Sequence, residues 1–541
     1  MQLKGENPFK VRAFEKAAGL IGELPAEEDL GARAEAGTLT ELAGIGKGIA
    51  EVLNEYLLQG TSRARDDLKA SIPAGLLELT RIPGLGPKKA QLIIDQLDIH
   101  SVRELEYACR ENRLLKLKGF GDKIQAKVLE SIQFLKAGEG LCRISDAFPL
   151  AEALFKDLYR SVNSGRHPAA LSLRVSEAGA IRRRLEILGE LEFVIELPPG
   201  EAAPAEVRRM ADAAVERFRN QHASPLGIRL HFAGRERFGY ELALRTATPE
   251  HWRALGAPEA FDASSEEEFY AALQLPVIPP EARETGEEVA LARTGALSGL
   301  LPWDGIQGVF HNHTTRSDGV ASLEEMIIAA KRLGYRYLGI SDHSQSAFYA
   351  QGLKLPTLLE QEKEVRDLQE KHPEIRIFWG IESDILADGS LDYEPEVLDR
   401  FDFVVASVHS RFKMEREAMT DRILAAIRNP HTRFLGHATG RLLLGRKGYE
   451  VDMERVIGEA AERDVAIEIN ANPARLDIDW RWGPQLRKCG TLVSVNPDAH
   501  DTEGLEDTRY GIAVARKALL PSGLVVNSRS VEDVEKWLAR R

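Results

Sequence analysis

Cysteine is almost missing from this chain: Cys109, Cys142 and Cys489 are all there is in 541 residues. Three thiols, odd in number and far apart, give no disulfide framework and fit a reducing, cytoplasmic setting. Long apolar runs are missing too. Nothing approaches the ~20 residues needed to span a bilayer, and the stretch from Met1 to Asn7 has no apolar leader. A membrane partner is therefore not expected. There is no surplus of basic charge either. The formal net charge is −13, so any hold on nucleic acid must come from local basic patches. What remains is an ordinary hydrophobic content in a chain too long for one core. The expectation is a soluble cytoplasmic protein of several domains.

The C-terminal half is organised around the stretch from Phe310 to Gly319, which carries His311, His313 and Asp318. Histidines at i and i+2 leave the end of a strand on the same side. Alone, the pair reads equally well as two surface histidines beside a turn. Its surroundings decide otherwise. Further apolar runs end in His343, Glu382, His409 and His437, and a last one ends in the acid-x-histidine pair Asp498 and His500. Segments of helical spacing separate these runs, from Leu323, Leu358, Ala418, Met453 and Pro484 onward. With the run from Val465 to Asn470 the count is about seven strands. Strand–helix alternation predicts a parallel (β/α) barrel, and such barrels gather their C-terminal strand ends at one mouth. Ligand-type residues at strand end after strand end predict a polynuclear metal site.

Residues 1 to about 140 read as helices punctuated by three turns of one form. They contain Gly44, Gly46 and Lys47; Gly84, Gly86, Lys88 and Lys89; and Gly119, Gly121 and Lys123. Two glycines admit a close partner, and the helix that follows offers free N–H groups and a positive dipole end, which suits phosphate. A single Gly-x-Gly turn also simply caps helices; three with lysines close by resemble helix-hairpin-helix motifs, which hold DNA backbone without reading bases.

The middle third reads as α+β. A strand from Gly189 to Ile195 places Glu190 and Glu192 on one face. As a metal-binding pair or a solvent-facing acidic edge it reads equally well. A second strand with His231 is placed to face it, and 285–305 reads as a linker.

In this order the parts resemble a bacterial family X DNA polymerase with a C-terminal PHP (polymerase and histidinol phosphatase) domain. The resemblance begins at Lys4 to Ala13 and is densest from Ser407 to Phe412, Gly436 to Arg441, Glu468 to Pro473 and Asp498 to His500. Family members usually carry one more helix before Lys4, so either a shortened first domain or a misplaced start is expected. The resemblance implies helix-hairpin-helix domains at 1–72 and 73–140 (the second fingers-like), a nucleotidyltransferase-like palm at 141–245, and a thumb at 246–290. A linker at 291–305 and a seven-stranded PHP barrel at 306–541 complete it. It also implies three divalent metal ions: one on His311, His313, Glu382 and Asp498, a second on Glu382, His409 and His437, a third on Asp318, His343 and His500. Imidazole-rich ligands favour Mn²⁺, with Zn²⁺ or Fe²⁺ as alternatives. The implied chemistry is two-metal-type phosphoester hydrolysis, with Glu382 and His343 as the critical side chains. Arg441 and Arg475 near the mouth read either as phosphate holders or as salt-bridge partners.

The palm departs from the family pattern. Ala180 stands where the family has serine, before the paired arginines Arg182 and Arg183. Glu190, Glu192 and His231 stand where it has three aspartates, and Thr246–Thr248 replaces its Thr-Gly-Ser turn. Glutamates displace both ions and imidazole is a poor partner for Mg²⁺, so the palm is expected to be a scaffold without templated polymerase activity. The leading function is a metal-dependent 3′-5′ nuclease on gapped or 3′-ended DNA, monomeric and without sequence preference. The alternatives are a bifunctional gap-filling polymerase, a DNA-binding scaffold, and a small-molecule phosphatase, which would have no use for three DNA grips.

Overall fold

The computed structural model describes residues 7–540 except 23–29, 43, 71–74, 81, 83, 98, 111–112, 165–171, 200–202 and 223. Met1 to Glu6, part of the stretches named above, lie outside the described residues. The chain divides into two compact units, Met1–Glu139 and Gly140–Arg541.

The first unit is helical throughout its described residues, with two apolar centres: Ala17, Leu39, Ile45 and Ile49 in one, and Leu79, Leu85, Ile93, Leu105, Phe120 and Ile132 in the other. The three glycine turns share one backbone. Gly44, Gly84 and Gly119 have φ of 91°, 90° and 90°, a left-handed conformation that costs glycine nothing. In each turn the next residue (Ile45, Leu85 or Phe120) is buried and its N–H bonds three residues back, at 3.0 Å. The second glycine's carbonyl then accepts the first helical bond, from Ala50, Ala90 and Gln125 at 2.9–3.0 Å.

The second unit opens with β1 (Cys142–Arg143), β2 (Val175–Ala178), β3 (Ile187–Leu188), β4 (Glu190–Leu197) and β5 (Gly227–Gly234). β1 and β3 form a short antiparallel pair, and β2-β4-β5 form a sheet with β4 parallel to β5. Helices Ile144–Asn163 and Ala203–Gln221 cover it, burying Leu154, Leu158, Ala211 and Phe218. The stretch 285–305, expected as a linker, is instead folded: Glu287–Arg293 is helical and Ala296–Gly299 forms a 3-10 turn. Val289, Ala292 and Leu301 find apolar partners, and burying them outweighs the freedom a linker would keep.

Seven parallel strands follow: β6 (Gly308–Val309), β7 (Tyr337–Ile340), β8 (Arg376–Asp384), β9 (Phe403–Ser407), β10 (Thr432–Leu435), β11 (Ala466–Asn470) and β12 (Val493–Asn496). They pair in chain order, and a parallel bridge between Asn312 and Ala499 nearly closes the ring. The helices expected between them form as Leu323–Arg332, Leu355–Lys371, Arg416–Ile427, Met453–Glu462 and Gly483–Cys489. The first starts at a capping box, Ser322 with Glu325. Inside the ring Phe310, Phe378, Phe403 and Phe434 are fully buried with centroids 4.8–5.8 Å apart. Gly380 makes room for them, since a Cβ there would lie 2.4 Å from the Phe403 ring. This aromatic plug fills the barrel, and the polar strand ends are left to form the mouth. No helix among the described residues is long and apolar enough to cross a membrane.

Candidate metal centre

Each successive strand delivers a polar side chain to that mouth. His311 and His313 follow β6, Asp318 lies in the loop beyond them, and His343 follows β7. Glu382 is within β8, His409 and His437 follow β9 and β10, and Asp498 and His500 follow β12. Asp498 and His437 have positive φ, 53° and 23°, a strained backbone of the kind that clusters at functional sites.

Glu382 is the hub. Its carboxylate lies 2.8 Å from His343, 3.1 Å from His437, 3.2 Å from His409, 3.3 Å from His311 and 3.7 Å from His313. Asp498 is 3.2 Å from His313 and 3.4 Å from His311, and Asp318 is 3.4 Å from His500 and 3.5 Å from His343. Two ligand atoms each ~2.1 Å from one ion at a tetrahedral angle are about 3.4 Å apart, so the spacing fits shared cations. Three groups have ligand atoms mutually within 4.8 Å: His313, Asp318, His343 and His500; His311, His313 and Glu382; and His343, Glu382 and His409. His311 Nε2 and His313 Nδ1 are buried without a hydrogen bond, which a metal ligand explains. The site is able to hold metal. These groups overlap the three sets implied by resemblance, but they share His313 and His343 between neighbours and leave His437 and Asp498 outside.

The electrostatics follow from packing anions among imidazoles. Burial opposes charge on Glu382 and Asp498, yet the histidines around them, led by His409 for Glu382 and His311 for Asp498, hold both well below the usual carboxylate range. Burial also works against charge on His343 and His409, but Glu382 outweighs it and pushes them up to about 10 and about 9. Burial, with His343 and His500 beside it, pushes His313 down to about 3. To hold a cation these imidazoles would have to give up their protons.

An outer layer orients these ligands, and reading the sequence missed it. Glu468 of β11, fully buried, accepts from His311 Nδ1 at 2.7 Å and from the His437 N–H at 2.8 Å. Asp384 pairs with His409 Nδ1 at 2.5 Å. Asp342 accepts from the Thr314 N–H and hydroxyl and from Gln361. Glu468 and Asp384 fix the tautomer and direction of the rings they meet. The signal was available: Asp384 stands two residues from Glu382, on the same strand face, and Asp342 precedes His343. Of the two arginines, Arg475 reaches the centre, with Nε 3.5 Å from Asp498. Arg441 is committed elsewhere, to Asp479 and to the carbonyls of Arg475 and Leu476, and so takes the salt-bridge role.

In the palm-like sheet Glu190 and Glu192 do share a face with His231, and each carboxylate meets a cationic or imidazole partner. Glu190 pairs with Arg229 at 2.9 Å and Glu192 with His231 at 3.0 Å. Ala180 lies in the short helix Gly179–Arg182 beside them. Arg182 makes a two-pronged ion pair with Glu266 and a bond to Thr246. Burial notwithstanding, Arg182 and Arg283 together hold Glu266 at about 2. Arg183 pairs with Glu284, which also holds buried Lys517 at 2.6 Å. Thr246 ends one helix and Thr248 caps the next, accepting from His251. In the first unit Lys47, Lys88 and Lys123 are exposed at helix starts, and Lys89 lies over the Phe120 ring at 5.9 Å.

Comparison with known proteins agrees with this architecture. Residues 310–472 match the PHP domain model, 1–62 a helix-hairpin-helix domain, and 76–133 a SAM-like helix-hairpin-helix tandem. A probable phosphatase of Caldicellulosiruptor saccharolyticus is 32% identical over 42% of this chain and 94% of its own length, and one from Aliivibrio fischeri is 27% identical over 37% and 80%. The DNA polymerase/3′-5′ exonuclease PolX of Bacillus subtilis is 34% identical over 100% of this chain and 97% of its own. With a match of that extent and all three architectural parts in place, the chain belongs to the bacterial PolX family, family X DNA polymerases that carry a PHP domain.

Proposed function

We propose that this chain removes nucleotides from DNA 3′ ends at the PHP centre, and that its palm is a scaffold. The observation that carries this reading is the single carboxylate, Glu382, within 3.7 Å of five imidazoles at one barrel mouth. Three divalent ions, Mn²⁺ foremost, would be held by the nine ligands in the sets given above. Bound there, they supply Lewis-acid activation and neutralise charge at phosphorus. The protein's own contribution is to fix the imidazoles through Glu468 and Asp384 and to offer Arg475 to substrate phosphate. Residues 1–72 and 73–140 act as the DNA grips, 141–245 as palm and 246–290 as thumb, in a cytoplasmic monomer without sequence preference. The small-molecule phosphatase reading accounts for the barrel but leaves the helix-hairpin-helix turns without a task.

The test is full-length protein with 3′-labelled gapped DNA. EDTA should abolish release of label and Mn²⁺ should restore it. Release from the 5′ end, or release indifferent to chelation, would defeat the reading.

The grip has its own consequence. Each of these helices starts beside a lysine, though at the third turn Asp122 occupies the first helical position and competes with phosphate for the dipole. The first two turns should therefore dominate. Log affinity for duplex should fall with log salt by about 0.9 per phosphate neutralised. Replacing Lys88 and Lys89 with alanine should make that slope shallower by about one to two, without altering sequence preference. An unchanged slope, measured by anisotropy over a salt series, would remove these lysines from the interface.

A further inference from the structure

The second unit holds a cavity of about 500 Å³ between the helices Ile144–Asn163 and Thr508–Lys517. None of the nine ligand-type residues of the metal centre lines it. Nor is it the face of Glu190 and Glu192. Glu177, in its wall, stands opposite Phe193 in register and so leaves the other side of the palm-like sheet. Arg184 is the exception in that wall. Its neighbours Arg182, Arg183 and Arg283 each reach a carboxylate within 3.1 Å. Arg184 does not: Glu177 stands 3.7 Å from its Nη1, beyond hydrogen-bond range. That Nη1 is buried and has no hydrogen-bond partner. A backbone at φ 58° lays the guanidinium over the Phe148 ring at 4.2 Å, and burial draws its pKa below the usual arginine range. A cation so placed is costly unless an anion meets it. The rest of the wall suits a flat ring. Trp303 lines it and is 44% exposed. Phe148 and Tyr510 have centroids 6.2 Å apart, and a second guanidinium, exposed Arg509, lies over Tyr510 at 4.9 Å. The cavity's other carboxylate, Glu152, is taken by Lys156 at 2.6 Å, which leaves Glu177 to face an occupant.

We infer that this cavity is a binding site for a nucleoside monophosphate. The phosphate meets Arg184, with Arg509 adding a second positive charge. The base lies on Trp303 and turns an amino edge toward Glu177. The volume falls within the range of about 300–1,000 Å³ usual for small-molecule sites, and aromatic walls with a few convergent polar groups are their ordinary make-up. Phosphate alone or a nucleoside alone would use only half of this wall. A nucleotide held here lies apart from both the metal centre and the palm face, and its binding needs no nuclease activity.

Isothermal titration calorimetry of the full chain, with and without EDTA, tests it with deoxyadenosine 5′-monophosphate, deoxyadenosine and inorganic phosphate. The monophosphate should bind in both buffers, about tenfold or more tighter than either fragment. Arg184→Gly, a residue that suits the left-handed backbone, should weaken it about 10- to 150-fold, the worth of a hydrogen bond to a charged group. Trp303→Ala should weaken it about 5- to 150-fold, the worth of one base–aromatic stack, and Trp303→Phe should restore most of that. Thermal melting of each variant reports on the fold. Arg509→Gln, at an exposed side chain, should weaken binding about 2- to 10-fold with melting unchanged. Absence of binding by the wild-type chain, or affinity unchanged in Arg184→Gly or Trp303→Ala, would overturn the inference. So would equal affinity for deoxyadenosine. Binding lost in EDTA would place the nucleotide at the metal centre and overturn it as well.

Discussion

Glu382→Ala is expected to lower 3′-end hydrolysis by well over ~10²-fold, more than loss of an outer-layer partner costs. The reason is geometric. Glu382 is 1% exposed and contacts His311, His313, His343, His409 and His437. Deleting it leaves buried imidazoles around a space with no anion, so they repel one another when charged and lack a bridging ligand when neutral. Glu468→Gln, which keeps shape but loses the anion behind His311, should cost about 10- to 100-fold in metal affinity. His343→Ala should fall between wild type and Glu382→Ala, because Asp318, His500 and His313 remain grouped beside it. Metal content measured alongside rate separates lost ions from lost chemistry. Wild-type digestion by Glu382→Ala protein would disprove the assignment of the centre.

The second large effect is an absence. In a His343→Ala, Glu382→Ala background, so that no nuclease erases short products, the chain is expected to extend no primer across a one-nucleotide gap. A polymerase palm must hold two ions within a fraction of an ångström, and misplacement by about one ångström costs roughly a hundredfold. Here Glu190 and Glu192 are each a methylene longer than aspartate and are paired with Arg229 and His231. Ala180 has no hydroxyl for nucleotide phosphate. Arg182 and Arg183, the cations nearest that position, are held by Glu266 and Glu284. Restoring Glu190→Asp, Glu192→Asp, His231→Asp and Ala180→Ser together should recover measurable incorporation. The recovery should be partial, since the arginines stay engaged. Template-directed incorporation by the nuclease-dead chain without those four changes would make this a bifunctional polymerase.

Much of the centre was legible in sequence because a barrel turns a one-dimensional pattern into a place. Each apolar run ends in a ligand-type residue, and parallel strands bring those ends to one mouth. That arithmetic nominated nine residues for one mouth without any distance. The three glycine turns were legible for a similar reason: a left-handed residue before a helix start has a local signature, and Gly44, Gly84 and Gly119 adopt the same φ. What depended on side chains meeting across the ring was not legible. Glu468 lies 157 positions from His311, and no spacing announces that contact. Nor does spacing say that Glu382 faces five imidazoles, that His313 and His343 each belong to two groups, or that Arg441 is spent on Asp479. The stretch 285–305 has a linker's composition yet folds, because Val289, Ala292 and Leu301 find apolar partners that only packing supplies. In the palm the sequence alone determined which residues differ from the family pattern. Tertiary structure decided that those glutamates and arginines are paired within the chain, because a charge brought into a partly buried sheet is stable only with a partner in reach.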